Sequence, residues 1–224
     1  FGNRKFHCWK KEGHGYLNLH EAIEKSCDCY FYNLAKILEI DDLAKFSNLF
    51  SYGEKTGIDI PNELKGIMPD RKWKMKNRGE KWQKGETLNT VIGQGFILST
   101  PLQITLMTAR IATGKKIIPS IIINKKEFEN LNINNENLEF IKSSMFSVVN
   151  DSTGTAFNSR LKSYQKMAGK TATSQVRKIS LEEREEGVIK NEELNYKLRD
   201  HSIFTCFAPF DNPKYSLSVI AEHM

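Results

Sequence analysis

The chain has 224 residues, 39% hydrophobic and 10% aromatic, a composition that excludes an intrinsically disordered segment and suits one sizeable core or most of a larger one. Its net charge of +6 is spread along the chain rather than clustered, which argues against nucleic acid as a partner. Four cysteines are too few for a disulfide scaffold. No run approaches the ~20 apolar residues that cross a bilayer, so any membrane anchoring is expected to come from a segment outside this sequence. The chain opens on Phe1-Gly2-Asn3, with neither a starting Met nor a signal-peptide pattern, and reads as a piece of a longer protein.

In chain order, Asn18-x-x-Glu21 has the pattern of a capping box opening a helix at Leu19. Apolar residues keep helical spacing at Leu19, Ala22 and Ile23, then at Phe31, Leu34, Ala35 and Leu38. Ser26-Cys27-Asp28 interrupts that face, which predicts two helices joined there or one helix containing a turn. A short helix is expected over residues 41–50, stopping near Gly53. Residues 54–98 carry Gly57, Pro61, Gly66, Pro69, Gly79 and Gly85 and are expected to be irregular, a functional loop or a packed wall. Thr100-Pro101-Leu102-Gln103 starts the next helix, with Thr as N-cap, Pro at the first position and Gln at the third; Gly114 stops it. A further helix is predicted over 136–149, with Leu138, Ile141, Met145, Val148 and Val149 on one face. The last third turns to strands: 164–176, then 202–210 and 215–222 joined at Asp211-Asn212-Pro213. Half of residues 176–201 are charged. That stretch is therefore a solvated excursion, of the kind that often overhangs a site.

Two short strings carry chemistry. In Lys170-Thr171-Ala172-Thr173, a cleft-facing lysine can meet a substrate carboxylate and tune a nearby serine. The threonine hydroxyls and strand amides can hold an extended peptide by β-addition. The plainer alternative is an ordinary strand with an exposed lysine. A phosphate loop at Gly169-Lys170-Thr171 is excluded, because Tyr164 stands where its first glycine belongs. Ser26-x-Asp28 on a turn can relay a proton through the hydroxyl, or can serve merely as a helix cap. Two Ser-x-x-Lys strings, Ser159–Lys162 and Ser163–Lys166, lack the setting a nucleophile needs, the start of a buried helix where Lys lies one turn from Ser; they are read as coincidences. Cys8-x5-His14-x12-Cys27 offers ligand types that zinc prefers, with Cys29, His7 and His20 nearby. A Cys8–Cys27 disulfide or three unrelated side chains are the alternatives. A zincin-like string beginning at His20-Glu21 fails, because position 24 is Glu.

The order of these pieces resembles the transpeptidase domain of the penicillin-binding protein 2 family, the elongation-specific class B enzymes. Phe6-His7-Cys8-Trp9-Lys10-Lys11 with Gly13-His14-Gly15, the Ser26-Cys27-Asp28 turn with Tyr30-Phe31-Tyr32, and Thr56-Gly57-Ile58-Asp59-Ile60-Pro61 carry the likeness. So do Gly85-Glu86-Thr87-Leu88-Asn89 with Ile92-Gly93-Gln94-Gly95, Thr100-Pro101-Leu102-Gln103, Met167-Ala168-Gly169-Lys170-Thr171, and Arg199-Asp200-His201 with Phe207-Ala208-Pro209.

The resemblance implies an α+β, serine β-lactamase-like transpeptidase fold, an antiparallel sheet flanked by helices. Residues 1–224 would form a partial domain lacking the first strands, the helix that bears the Ser-x-x-Lys nucleophile, and the final helix. It implies a peptidoglycan D,D-transpeptidase of cell-wall elongation, working through an acyl-serine at the periplasmic face of the bacterial inner membrane. Its partners would be stem peptides, β-lactams and a SEDS glycosyltransferase. By the same likeness Ser26 and Asp28 form the second motif, and Lys170, Thr171 and Thr173 the third. No cofactor serves catalysis, and a structural zinc falls to Cys8, His14 and Cys27. Asp28 replaces the commoner Asn, and Ala172 stands where the family has Gly. The isolated chain is expected to be inactive. The rival reading is a non-catalytic remnant, or half of a split protein, that binds zinc or partners without turnover. A soluble β-lactamase is disfavoured because nothing marks a deacylating base.

Overall fold

The computed structural model describes residues 5–123, 127–177, 179–180, 182–183 and 187–224. Among them seven α-helices precede three strands: α1 Leu19–Glu24, α2 Asp28–Ala35, α3 Ile40–Asn48, α4 Arg71–Arg78, α5 Lys84–Val91, α6 Pro101–Thr113, α7 Asn135–Asn150, β1 Ala168–Ser174, β2 His201–Ala208 and β3 Tyr215–Ala221.

Local chemistry explains most of these boundaries. Asn18 accepts from Glu21 N–H at 2.9 Å while Glu21 accepts from Asn18 N–H at 3.0 Å, the reciprocal pair that starts α1. Thr100 and Gln103 repeat the arrangement on α6, which ends at Gly114 as expected. The Gln103 side chain, fully buried, also donates to the carbonyls of Ser51, Glu54 and Lys65. It thereby gathers the loop after α3 against α6.

The stretch 54–98 departs from expectation, because α4 and α5 lie within it. The α4 sequence Arg-Lys-Trp-Lys-Met-Lys-Asn-Arg has almost no apolar periodicity, so hydrophobic spacing could not reveal it. Caps and charge hold it instead. Asp70 accepts from Trp73 N–H at 2.6 Å, and Gly79 closes the other end. Lys74, only 2% exposed, lies 2.6 Å from the Glu86 carboxylate of α5 and donates to the Lys81 carbonyl. A buried ion pair with its hydrogen bonds satisfied ties the two helices together.

The sheet is antiparallel in the order β1-β2-β3, with Lys170 opposite Thr205 and Phe204 opposite Val219. Strand β1 is shorter than 164–176, because the carbonyls just before it turn to other partners. Lys166 O accepts from Phe210 N–H, and Met167 O accepts from the Asn150 amide. Helix α7 packs on β1, and α6 lies across β2 and β3. Val148 and Val149 of α7 are fully buried with Met167, Ala156 and Cys206. Met145 and Ala112 enclose Ala168 and Phe207. Each such valine is worth about 1.5–2 kcal/mol. A Cβ at Gly169 would stand 2.7 Å from Thr205 O and 2.8 Å from Phe204 Cζ. Only glycine lets β1 lie this close to β2 just before Lys170. The other edge of β1 has no strand beside it among the described residues.

Candidate active site

Ser26 occupies an unusual backbone position. Helix α1 ends with Cys27 N–H on Ala22 O at 2.9 Å and Ser26 N–H on Ile23 O at 3.3 Å. This pair of bonds defines a Schellman stop, whose key residue is left-handed and normally glycine. Here that residue is Ser26, at φ 52°. The helix-cap alternative is thus met by the backbone, while the hydroxyl is left for something else.

That hydroxyl accepts from Lys170 Nζ, across 144 residues of sequence, in a short contact. Lys170 also donates to Thr171 O at 3.1 Å. Ser26 Oγ lies 3.4 Å from Thr155 Oγ1, which is 2.8 Å from Thr171 Oγ1. In the Ser26–Thr155 and Thr155–Thr171 pairs either hydroxyl can donate, and together they form a chain of three hydroxyls from Lys170 to β1. Burial pulls the Lys170 pKa down to about 8, with the Asp28 carboxylate opposing the fall.

Asp28 opens α2 but does not bond Lys170 directly. Its carboxylate accepts from Trp9 N–H at 3.0 Å. Burial raises its pKa, against the Trp9 bond and the field of Lys170. The Trp9 indole donates to Ser26 O at 2.9 Å and Lys25 O at 3.2 Å. The N-terminal loop is thereby pinned over the turn.

Thr155, and the Glu24 contacts that hold its loop, carry no recognisable sequence motif. Thr155 N–H donates to Glu24 O, and Thr153 Oγ1 donates to the buried Glu24 carboxylate. The one hint is a run of small polar residues, Asp151-Ser152-Thr153-Gly154-Thr155, directly after a core helix. Gln94 was also not singled out for a role; its side chain donates to Thr173 O at 2.8 Å. Ala172 and Thr173 are exposed.

Cys8, His14 and Cys27 converge, their ligand atoms all within 4.8 Å of one another and Cys8 Sγ 3.4 Å from His14 Nδ1. All four cysteines are free thiols. Burial lowers the His14 pKa, with Lys10 and Lys25 adding to the effect, and burial raises that of Cys27. His20 lies apart, beside Glu24 and Asp151. Both of its ring nitrogens are engaged by Ser144 and Ser147 of α7, which makes it a packing histidine. Ser159 closes a 3-10 turn and Ser163 lies in an exposed bend. Neither opens a buried helix.

Residues 1–224 match the family model described as the penicillin binding protein transpeptidase domain. The chain belongs to that family and has its fold. It is 37% identical to the peptidoglycan D,D-transpeptidase MrdA of Acinetobacter baumannii, over 99% of this chain and 34% of that protein. It is 32% identical to the Escherichia coli K12 protein of the same name, over 98% of this chain and 36% of that one. Among solved structures, penicillin-binding protein PBP2 of Helicobacter pylori, in a complex with MreC, superposes with TM-score 0.89 at 38% identity, covering 100% of this chain and 39% of that one. Pseudomonas aeruginosa PBP2, in complex with WCK 5153, gives 0.83 at 32% identity, over 99% of this chain and 48% of that one. The chain therefore spans about a third of the length of these curated relatives.

Proposed function

We propose that the protein containing this chain is a serine-type peptidoglycan D,D-transpeptidase, inhibited by β-lactams, and that residues 1–224 form the part of its transpeptidase domain that supplies the proton relay and the peptide-binding strand. The observation that carries this reading is the Lys170 Nζ–Ser26 Oγ contact, which joins the two strings singled out in the sequence. The relatives named as D,D-transpeptidases support it.

The nucleophile is a serine outside residues 1–224, with its own lysine as base. Its oxygen attacks the donor peptide's carbonyl carbon, and the C–N bond then breaks. The leaving nitrogen takes a proton from Ser26, which takes one from the Lys170 ammonium. In the second half the acceptor amine attacks the acyl-serine, the ester C–O bond breaks, the serine oxygen regains the proton from its own lysine, and the amine's proton returns through Ser26 to Lys170. Thr155 holds the Ser26 oxygen in place. Asp28 holds Lys170 in its charged form by field. The Thr171–Thr173 edge of β1 takes the donor peptide as an added strand.

A fluorescent penicillin tests this reading. The full-length protein should be labelled once, at a serine outside this chain, and the isolated chain not at all. A stoichiometric adduct at Ser159 or Ser163 would overturn the assignment.

We further infer that Cys8, His14 and Cys27 hold a structural zinc. Tetrahedral Zn–S and Zn–N bonds of about 2.3 and 2.0–2.1 Å put ligand atoms about 3.4–3.8 Å apart, and the Cys8–His14 separation of 3.4 Å fits. A fourth ligand comes from water or from chain outside these residues. The ion would brace the loop that Trp9 pins to the Ser26 turn and would take no part in the reaction. Elemental analysis after chelator-free purification should return one zinc per chain; a metal-free protein with a Cys8–Cys27 disulfide rejects the site.

By family likeness the protein acts at the periplasmic face of the bacterial inner membrane, alongside a SEDS glycosyltransferase. A structural relative seen in a peptidoglycan synthase complex, with TM-score 0.79 at 26% identity, supports the partnership. No described helix is long and apolar enough to cross a membrane.

A further inference from the structure

We propose that Gln94 is a latch on the substrate-binding edge of β1, a side chain that the donor peptide must displace. The inference rests on the transpeptidase reading above and adds a residue which that reading does not use.

In an antiparallel strand, alternate residues turn their backbone groups toward the neighbour and away from it. On β1 this alternation turns the carbonyls of Gly169, Thr171 and Thr173 outward, and the last two accept from groups other than β2. Thr171 O takes Lys170 Nζ at 3.1 Å, and Thr173 O takes Gln94 Nε2 at 2.8 Å. An open strand edge invites pairing with any extended chain, and here the two outward acceptors beyond Lys170 are covered by side-chain donors. Lys170 belongs to the strand and already serves Ser26. Gln94 is 79 residues away, on the turn after α5, and reaches the strand from outside.

A primary amide N–H is chemically the donor that a peptide N–H is. An added strand runs ~4.8 Å from its neighbour and places its N–H ~2.9 Å from the carbonyl. The Gln94 amide stands at that distance from that oxygen, so glutamine and peptide compete for one place. The backbone at Gln94 is held: Gly93 N–H bonds Thr90 O and Gln94 N–H bonds Asn89 O, both at 2.9 Å, the Schellman stop of α5, so only the side chain is free to leave. Gly93 and Gly95 flank Gln94 at φ 76° and 86°, left-handed values that glycine alone adopts without strain. No atom stands within 4 Å of where a Gly93 side chain would begin. Beyond this turn the chain is anchored again, by Phe96 against Trp73 at 5.4 Å between ring centroids. The Gln94 side chain can turn about its own χ bonds while its backbone, α5 and Phe96 stay fixed.

The test uses the full-length protein and the concentration dependence of its acylation by a fluorescent penicillin, which separates the apparent binding constant from the limiting acylation rate. For Gln94→Ala the binding constant should tighten by about three- to tenfold, the value of one lost competing hydrogen bond. The limiting rate and its pH profile should not change. Gln94→Met, which keeps the length, stays neutral and offers no N–H, should behave the same way. Binding that weakens or stays the same, or a change confined to the limiting rate, would overturn the latch. A second measurement is independent of acylation. With the nucleophile serine replaced and glutamine labelled with 15N, a stem-peptide mimic should shift the Gln94 side-chain amide signals toward free-glutamine values. Bound peptide with unmoved signals rejects the idea. Wild-type protein that takes no penicillin sinks the transpeptidase reading and the latch together. Wild type that is labelled, with Gln94→Ala no tighter, sinks the latch alone.

Discussion

The two walls that meet at the Lys170–Ser26 contact are built on opposite terms. On one side, the Ser26 turn is fixed from every direction: two Schellman bonds below it, the Trp9 indole on its carbonyls, and the Glu24–Thr155 bond beside it. It also holds a non-glycine residue in the left-handed region. On the other side, the β1 edge is open, with Ala172 and Thr173 exposed and side-chain donors in place of a neighbouring strand. On the proposed reading, strain is stored where one hydroxyl must stay put, and openness is kept where a peptide would enter. Lys170 belongs to both walls, and the largest effects are expected there.

Lys170→Met removes the proton source and should lower the acylation rate of the full-length protein by about 10²- to 10⁴-fold, measured with a fluorescent penicillin. Stability should not fall with it. An ammonium whose pKa is held at about 8 rather than 10.5 is one the fold keeps at a cost. Between those two values the unfolded chain binds more protons than the native one, so wild-type stability should rise as pH climbs from about 8 to 10.5. In the methionine variant that rise should vanish. Acylation by the wild type should decline over the same climb, because the donating form of Lys170 is lost. A melting temperature that drops sharply in Lys170→Met would mean that the lysine holds the walls together rather than serving chemistry.

Ser26 gives the next largest effect and the sharpest contrast with its surroundings. Ser26→Ala keeps the backbone strain and removes the hydroxyl; acylation should fall about a hundredfold. Ser26→Gly should lose as much activity while gaining up to about 1 kcal/mol of stability, since glycine suits a left-handed stop. Chemical denaturation of the two variants checks this. Equal stability in both would show that the position is not strained. Gly169→Ala tests the opposite wall: its methyl would press on the Thr205 carbonyl and Phe204 ring, costing about 1–3 kcal/mol.

How far these features could be read in advance depended on what kind of force makes them. Capped helices were legible: the boxes at Asn18–Glu21 and Thr100–Gln103 mark α1 and α6. The apolar stripe from Leu138 to Val149 marks α7. Strands β2 and β3 follow from β-prone runs around a Pro-containing turn. Helix α4 was not legible, because a buried Lys74–Glu86 pair and two caps do the work of a hydrophobic face. In the site, Ser26 and Lys170 could be named from short strings, and the family likeness paired them. Thr155 and Gln94 could not be given roles, since both work through contacts made at long sequence separation. The strain at Ser26 was hidden for a further reason: nothing in a serine's identity announces a positive φ.

Thr155 offers the smallest effect and the finest test of how the walls communicate. Its hydroxyl lies 3.4 Å from Ser26 Oγ, a long bond, and 2.8 Å from Thr171 Oγ1, a good one. If it only holds the Ser26 oxygen in place, Thr155→Val should slow acylation by about three- to tenfold, and Thr155→Ser should restore it. Its backbone N–H would still hold Glu24 O, so stability should change little. Should Thr155→Val prove as damaging as Ser26→Ala, the proton would have to travel through Thr155 toward β1, and the open wall would share the chemistry now assigned to the rigid one.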